Sequence, residues 1–474
     1  MDIISFPFAF LAISSVFAFY LLNPRYRIWF LVLLSCGFIT SFSYKLLIYL
    51  VTFSAGNYYL AIRIYSSKAR KALFLTGVIL NLGQIIILNY ASFAIDPLLD
   101  FFQSNFRVAP ISKIIIPLGI SYYTLQALGY LVNIKMGWEK PERNFPDFLL
   151  YIIFYPKFIS GPVERSNHFL PQLKATKSFS ESRLYEGLRM ILLGAFKKVV
   201  IANQLGVFVN NAYSDLDLYG GLNLWVVLLI QPLYLYFDFS GYTDIALGIA
   251  KTYGIDLLPN FKRPFLSENV TSFWKRFHMS LSFWFNDYIF KQTSFKYRKW
   301  GKYASVFAVV VTFTLFGIWH GAGWNFMVLG LMQAVAINYE FFTKRLRTKL
   351  FSRLPVQIRL WVGRFCTYLF YAVSLTFFFS PSLTTSFKYF SGLSKLDYTH
   401  WNIGVPASTM LISFVVLSIF MIAEIINNDF NKISERLEDF WNHNRWFKFI
   451  LYYLGIFLIF YYSGGKQEFI YSQF

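Results

Sequence analysis

KYASVFAVVVTFTLFGIWHGAGWNFMVLGLMQAVAINYEFFTK, residues Lys302 to Lys344, sets two long apolar runs around an uncharged Trp-His-Gly centre and places a lysine at each outer end. Basic residues mark the cytoplasmic ends of spans, so both runs start and finish on the same side and the link Gly321-Ala322-Gly323-Trp324-Asn325 is a turn deep in the membrane or near its outer side. A helix from Lys302 to His320 reaches roughly 25 Å, most of the hydrocarbon thickness of about 30 Å. An imidazole at that depth must be hydrogen-bonded or face a wet cavity, because desolvation without a partner costs on the order of several kcal/mol. His320 is therefore a functional candidate by position, the plain alternative being a core histidine satisfied by a neighbouring helix.

The rest of the chain has the same character. Its 474 residues are 56% hydrophobic, 21% aromatic and only 14% charged, with a mean hydropathy of +0.46, whereas soluble domains carry about 25% charged residues. Runs approaching the roughly 20 apolar residues that cross a bilayer recur from one end to the other. This pattern predicts an all-α polytopic membrane protein of about 10 to 13 helices, folded as one membrane domain over residues 1–474. The first run, Ile3 to Leu22, lacks a basic leader and a small-residue cleavage site and is expected to stay as a first helix. Cys36 and Cys366 are too sparse for a disulfide framework. The net charge of +20 lies mostly in short loops between apolar runs, which points to membrane orientation and anionic lipid headgroups rather than to nucleic acid.

Those loops set the topology. Pro24 to Arg27 and Ser67 to Lys71 are basic and fall two crossings apart, which puts both in the cytoplasm and the N-terminus outside. The loop with Asp96 and Asp100 is then external, Lys135 to Arg143 and Lys344 to Lys349 are cytoplasmic, and Pro381 to Pro406 is external. ISERLEDFWNHNRWFKF, near the C-terminus, is expected to lie in the interface as an amphipathic helix. Tyr151 to Gln172 and Pro232 to Phe265 are apolar but interrupted by Pro, Gly and polar residues, so both are expected to be broken, re-entrant elements around a central site. No internal repeat is visible, which weakens an inverted-repeat transporter.

Of the five histidines, His400, in the external loop, and His443, in a charged stretch, are expected to be solvated, and His168, in a loop-like setting, is not expected to carry function. His278 differs, because SFWKRFHMSLSFWFNDYIF buries an imidazole among aromatics just after Lys275 and Arg276. This segment is expected to be a helix along the cytoplasmic face, with His278, Ser282 and Phe285 on one side. His278 and His320 would then sit toward opposite ends of one passage. A neutral imidazole is well suited to take a proton from an alcohol near neutral pH, as acyl transfer to a hydroxyl requires. No GxSxG elbow accompanies it, which favours direct transfer, and no metal-ligand spacing such as HExxH occurs. Asp238 and Asp244 stand in apolar surroundings and need partners, for which Lys262 and Arg263 are candidates. Glu164 and Arg165 in GPVER are open to either a structural or a functional role.

These motifs together resemble the membrane-bound O-acyltransferase family, specifically its bacterial branch of alginate, peptidoglycan and teichoic-acid acylation proteins. The resemblance rests on SFWKRFHMSLSFWFNDYIF and GIWHGAGWNF, supported by PLGISYYTLQALGYLVNI, FYPKFISGPVERSNHFLPQL and FDFSGYTDIALGIAKTYGIDLLPNFKRPF, and covers Leu118 to Asn338. It implies a many-helix funnel with a tunnel across the membrane, His320 as the catalytic residue and His278 as the family's other histidine. It also implies an acyl group carried from a cytoplasmic thioester to a separate SGNH-type acyltransferase that modifies a surface polymer. The wording of the motifs and the C-terminal spans after Arg359 place the chain nearest the alginate and peptidoglycan O-acetylation members. The resulting expectation is an acetyltransferase of the bacterial inner membrane that uses acetyl-CoA as donor and holds no permanent cofactor or metal. His320 would be the general base, His278 would orient or relay, and Lys262, Arg263, Lys275 and Arg276 would meet the CoA phosphates. The alternatives are D-alanyl transfer from a carrier protein to teichoic acid, and a transporter or flippase without acyl-transfer chemistry.

Overall fold

The computed structural model describes residues 5–90, 119–159, 161–219, 221–395 and 407–464. The regular structure among them is helical throughout. Eight helical runs are long and apolar enough to cross a membrane: Tyr44–Ser66, Arg70–Leu88, Glu181–Ser214, Gly221–Thr252, Lys302–His320, Trp324–Phe351, Val356–Phe379 and Met410–Asp429. The chain is a multi-pass membrane protein, as the hydropathy requires. Asp96, Asp100 and His400 lie outside the described residues.

The helices fall into two compact units, one formed by Met1–Ile191 with Tyr242–Pro259 and the other by Leu192–Gly241 with Asn260–Phe474. In the first, α1 (Phe6–Leu21) begins at Ser5, whose hydroxyl accepts the Phe8 amide, with Pro7 in the opening turn. Pro24 to Arg27, read above as a loop, form the first turn of α2 (Pro24–Thr40), capped by Asn23. Next come α3 (Tyr44–Ser66), α4 (Arg70–Ile85) and α5 (Ile120–Met136). The interrupted stretch then breaks as expected, into α6 (Phe145–Ile153), α7 (Tyr155–Phe158) and α8 (Ser166–Lys174).

Such a broken backbone survives in the interior only if its polar groups find protein partners. Glu164 is fully buried and accepts the amides of Leu258 at 3.0 Å and Arg165 at 3.1 Å and the Nδ1 of His168 at 2.7 Å. The hydrogen bond to Glu164 raises the His168 pKa. Gln172 and the Asp256 backbone exchange two further bonds, of 2.9 and 2.8 Å. Glu164 and His168 are thus committed to holding loops together.

Helix α9 (Glu181–Phe196) begins in the first unit and ends in the second, where it runs through a π-helical turn, Lys197–Ala202, into α10 (Asn203–Ser214). The next element corrects an expectation. Pro232 does not break its segment: α11 (Gly221–Thr252) is one helix of 32 residues with the proline inside. Buried Gln231 supports the helix at that point. Its amide donates to the Ala372 carbonyl at 2.7 Å, and its oxygen accepts from Tyr213 at 2.7 Å. Both bonds reach other helices of the unit, so the segment around the proline is held by its neighbours as well as by its own ladder. A second correction concerns Asp238, which pairs with Lys198 of the π turn rather than with Lys262 or Arg263.

The chain continues through α12 (Val270–Trp274), α13 (Met279–Phe285) and α14 (Lys291–Lys296) to the long helices α15 (Lys302–His320), α16 (Trp324–Phe351) and α17 (Val356–Phe379). After α18 (Leu383–Gly392) and α19 (Ala407–Asp429), α20 (Asn431–His443) has no buried residue, consistent with an interfacial helix. Its amphipathic segment ends one helix and starts another, because Asn444 caps the Phe447 amide and opens α21 (Arg445–Tyr462). His443 is exposed beside Asp439, as expected.

Candidate active site

The hairpin of α15 and α16 is set by two glycines. A Cβ on Gly330 would lie 2.2 Å from the Phe313 carbonyl oxygen and 3.1 Å from the Gly317 Cα, and one on Gly317 would lie 2.3 Å from the Phe326 carbonyl oxygen. The two backbones therefore touch, which only small residues permit. One turn beyond each glycine on the same helix face stand His320 and Gln333, so the crossing fixes both. Gly330→Ala is expected to destabilise the protein by about 1–3 kcal/mol through forced separation of the helices and to depress activity with it. Gly56→Ala, where nothing lies within 4 Å, should be near neutral; thermal unfolding in detergent compares them.

His320 ends α15 and is 5% exposed. Its ring packs against Phe316, Trp319 and Phe378, with centroids 4.9, 4.8 and 5.6 Å away. The start of α16 is pinned by Asn325, whose amide donates to the carbonyls of Phe377 and Ser380, each at 2.9 Å.

His278 is fully buried, and the chain delivers it differently from the single surface helix expected. The segment is cut between α12 and α13, and His278 itself adopts φ 46°, ψ 49°. Arg263 and His278 are the two non-glycine residues with positive φ among those described. That conformation costs on the order of 1–3 kcal/mol and persists where surrounding structure imposes it. Here a backbone clasp does so: the Met279 amide donates to the Asn260 carbonyl and the Lys262 amide to the Arg276 carbonyl, both at 2.9 Å. The Asn260 side chain also accepts from the Ser280 amide at 3.2 Å and hydroxyl at 2.5 Å. At the other end, Glu340 of α16 accepts the amides of Val270 and Thr271 at 2.5 and 3.0 Å, tying the start of α12 to the hairpin. Burial, with the His320 ring a lesser influence, holds the His278 pKa well below its usual range. Its edge meets Phe239 at a centroid distance of 4.6 Å, and Trp319 lies 6.1 Å away. Asn260→Ala is expected to lose about 1 kcal/mol of stability and to lower turnover by loosening His278; unfolding and initial-rate measurements on the same preparation check both.

The two histidines do not occupy opposite ends of a passage. They line one cavity, walled also by Leu235, Trp274, Phe277, Gln333, Tyr371 and Phe378. At about 20 Å³ it accepts a water-sized group. Lys275 and Arg276 misled the placement of His278, since the chain turns inward just after them. Lys262 and Lys275 are exposed and Arg263 and Arg276 half-buried; Lys262 and Arg276 close the clasp that holds His278, with Arg263 and Lys275 next to them in the chain. Arg263 donates to the Asn427 carbonyl at 2.8 Å. Gln333, Asn325, Asn260 and Glu340 were not singled out from sequence. For Gln333 a signal was present, an amide amid the apolar run Phe326 to Ile337, 13 residues after His320.

The model of the membrane-bound O-acyltransferase family matches residues 138–384, just over half of the chain. Among curated proteins, the chain is similar to the "Probable alginate O-acetylase AlgI" of Azotobacter vinelandii, 28% identical over 440 residues that cover 88% of this chain and 84% of that protein. It is likewise similar to the peptidoglycan O-acetyltransferase of Helicobacter pylori, 28% identical over 433 residues covering 83% of this chain and 79% of the other. A shorter match, 35% identical over 238 residues, covers 48% of this chain and 60% of the teichoic acid D-alanyltransferase of Bacillus subtilis.

Proposed function

Since this chain belongs to the membrane-bound O-acyltransferase family, we propose that it takes an acetyl group from cytoplasmic acetyl-CoA and passes it across the bacterial inner membrane for O-acetylation of an envelope or secreted polysaccharide. A separate SGNH-type acyltransferase completes delivery to the polymer, and the N-terminus of the chain faces outward. The observation that carries this function is one buried cavity lined by both His278 and His320.

In that cavity His320 acts as general base. It takes the proton of the accepting hydroxyl as the oxygen attacks the thioester carbonyl, the carbon–oxygen bond forms, the carbon–sulfur bond breaks, and the proton passes to the departing thiolate. His278 orients the thioester or relays that proton. Lys262, Arg263, Lys275 and Arg276, on or next to the same clasp, meet the CoA phosphates. The aromatic walls exclude water and so protect the thioester from hydrolysis. Resemblance to alginate and peptidoglycan O-acetylating relatives over more than four-fifths of the chain supports acetyl as the cargo.

D-Alanyl transfer from a carrier protein is the second possibility, favoured by the higher identity to the teichoic acid enzyme over the shared region. Membership of an O-acyltransferase family sets the transporter alternative aside. Vesicles reconstituted with the protein and offered radiolabelled acetyl-CoA or D-alanyl carrier protein separate the donors. Acetyl esters formed only from acetyl-CoA are the expected result; transfer only from the carrier protein would overturn the acetyl assignment.

A further inference from the structure

Gln333 is 1% exposed on α16 and lines the cavity shared by His278 and His320. The direction of its amide is fixed by chemistry. The Trp274 indole N–H, which can only donate, lies 3.2 Å from Gln333 Oε1, so the oxygen faces Trp274 and the nitrogen is left over. That Nε2 is buried and makes no hydrogen bond. A buried amide donor without an acceptor costs roughly the desolvation of the group and is retained where something else supplies the acceptor. The cavity is lined besides by the two imidazoles, the Trp274 indole and the Tyr371 phenol, and a carbonyl oxygen, which can only accept, is the group of an acyl donor that matches the free amide N–H.

We propose that Gln333 Nε2 donates a hydrogen bond to the acyl carbonyl oxygen and stabilises the oxyanion that forms there. This role rests on the O-acyl transfer described above. When the hydroxyl oxygen attacks, the carbonyl π electrons move onto that oxygen and the hydroxyl proton goes to His320. When the intermediate collapses, the electrons return, the carbon–sulfur bond breaks and the thiolate takes the proton. A donor already aimed and desolvated stabilises the charge without reorganising. Trp274 is then a positioning residue, acting only through the Gln333 amide.

The test uses the full chain in vesicles with whichever donor, acetyl-CoA or D-alanyl carrier protein, the wild type uses. Gln333→Met keeps the volume and removes the donor; the expected result is a kcat about 100- to 1,000-fold lower with donor KM changed little. Trp274→Phe, which frees the amide to rotate, should lose part of that rate. Isotope-edited infrared spectra of a bound thioether-ketone analogue of the donor supply a second measurement: the carbonyl stretch should shift to higher frequency in Gln333→Met. A Gln333→Met protein with wild-type kcat and an unshifted carbonyl overturns the assignment of Gln333 and leaves the role of His320 standing. Wild-type vesicles that transfer from neither donor overturn the underlying chemistry and this proposal together.

Discussion

His320→Ala is expected to lower acyl transfer by about 100- to 10,000-fold, the usual contribution of a positioned general base, with donor affinity nearly unchanged. In the proposed mechanism the imidazole belongs to the chemical step, whereas the donor contacts to the CoA phosphates lie on the clasp around Lys262 and Arg276. A thousandfold loss corresponds to about 4 kcal/mol of transition-state stabilisation. Because the ring also packs against Phe316, Trp319 and Phe378, alanine leaves a void, and His320→Gln serves as a fuller replacement. Both variants should lose rate alike if the proton is what matters. Initial rates in vesicles at equal folded yield measure the effect, and a His320→Gln protein with wild-type rate would remove His320 from the mechanism.

Lys198→Met is expected to be the most destabilising single change, costing about 3–5 kcal/mol, because it strands a carboxylate in the interior. Lys198 and Asp238 are both fully buried and bonded to each other. The double variant Lys198→Met/Asp238→Leu should recover most of that stability, since no charge is then left buried. The pair bears on function through the next residue, Phe239, whose ring meets His278 edge-on. Denaturation curves of the three variants in one detergent give the coupling; equal losses in the single and double variants would show that the ion pair is not what holds α11 to the π turn.

The helical, multi-pass fold was legible because apolar runs of bilayer length and basic loops report it directly, and Lys302 and Lys344 alone define a hairpin. Both histidines of the shared cavity were also visible, since an imidazole among aromatics has no cheap alternative to a partner. What the sequence concealed was depth and pairing. Flanking cations suggested a surface helix for His278, yet a left-handed backbone at that residue turns it inward while Lys275 stays exposed. Pro232 suggested a break that α11 does not make, and Gln231 beside it is tied to residues of other helices that no local pattern reveals. Asp238 is matched by a lysine 40 residues away in sequence, a choice set by helix packing rather than by local spacing. Gln333, Asn325 and Glu340 act through contacts to backbone or indole groups distant in sequence, and no short pattern encodes such contacts.

The most direct measurement is a cryo-electron microscopy structure of the full chain with a non-transferable acetyl-CoA analogue. The carbonyl group of the analogue is expected in the cavity beside His278, with its oxygen toward Gln333 and its carbon facing the side from which a hydroxyl held about 3 Å from the His320 imidazole would attack, and with the phosphates against Lys262, Arg263, Lys275 and Arg276. An analogue bound with its carbonyl outside the cavity of His278 and His320 would contradict the assignment of acyl transfer to that site.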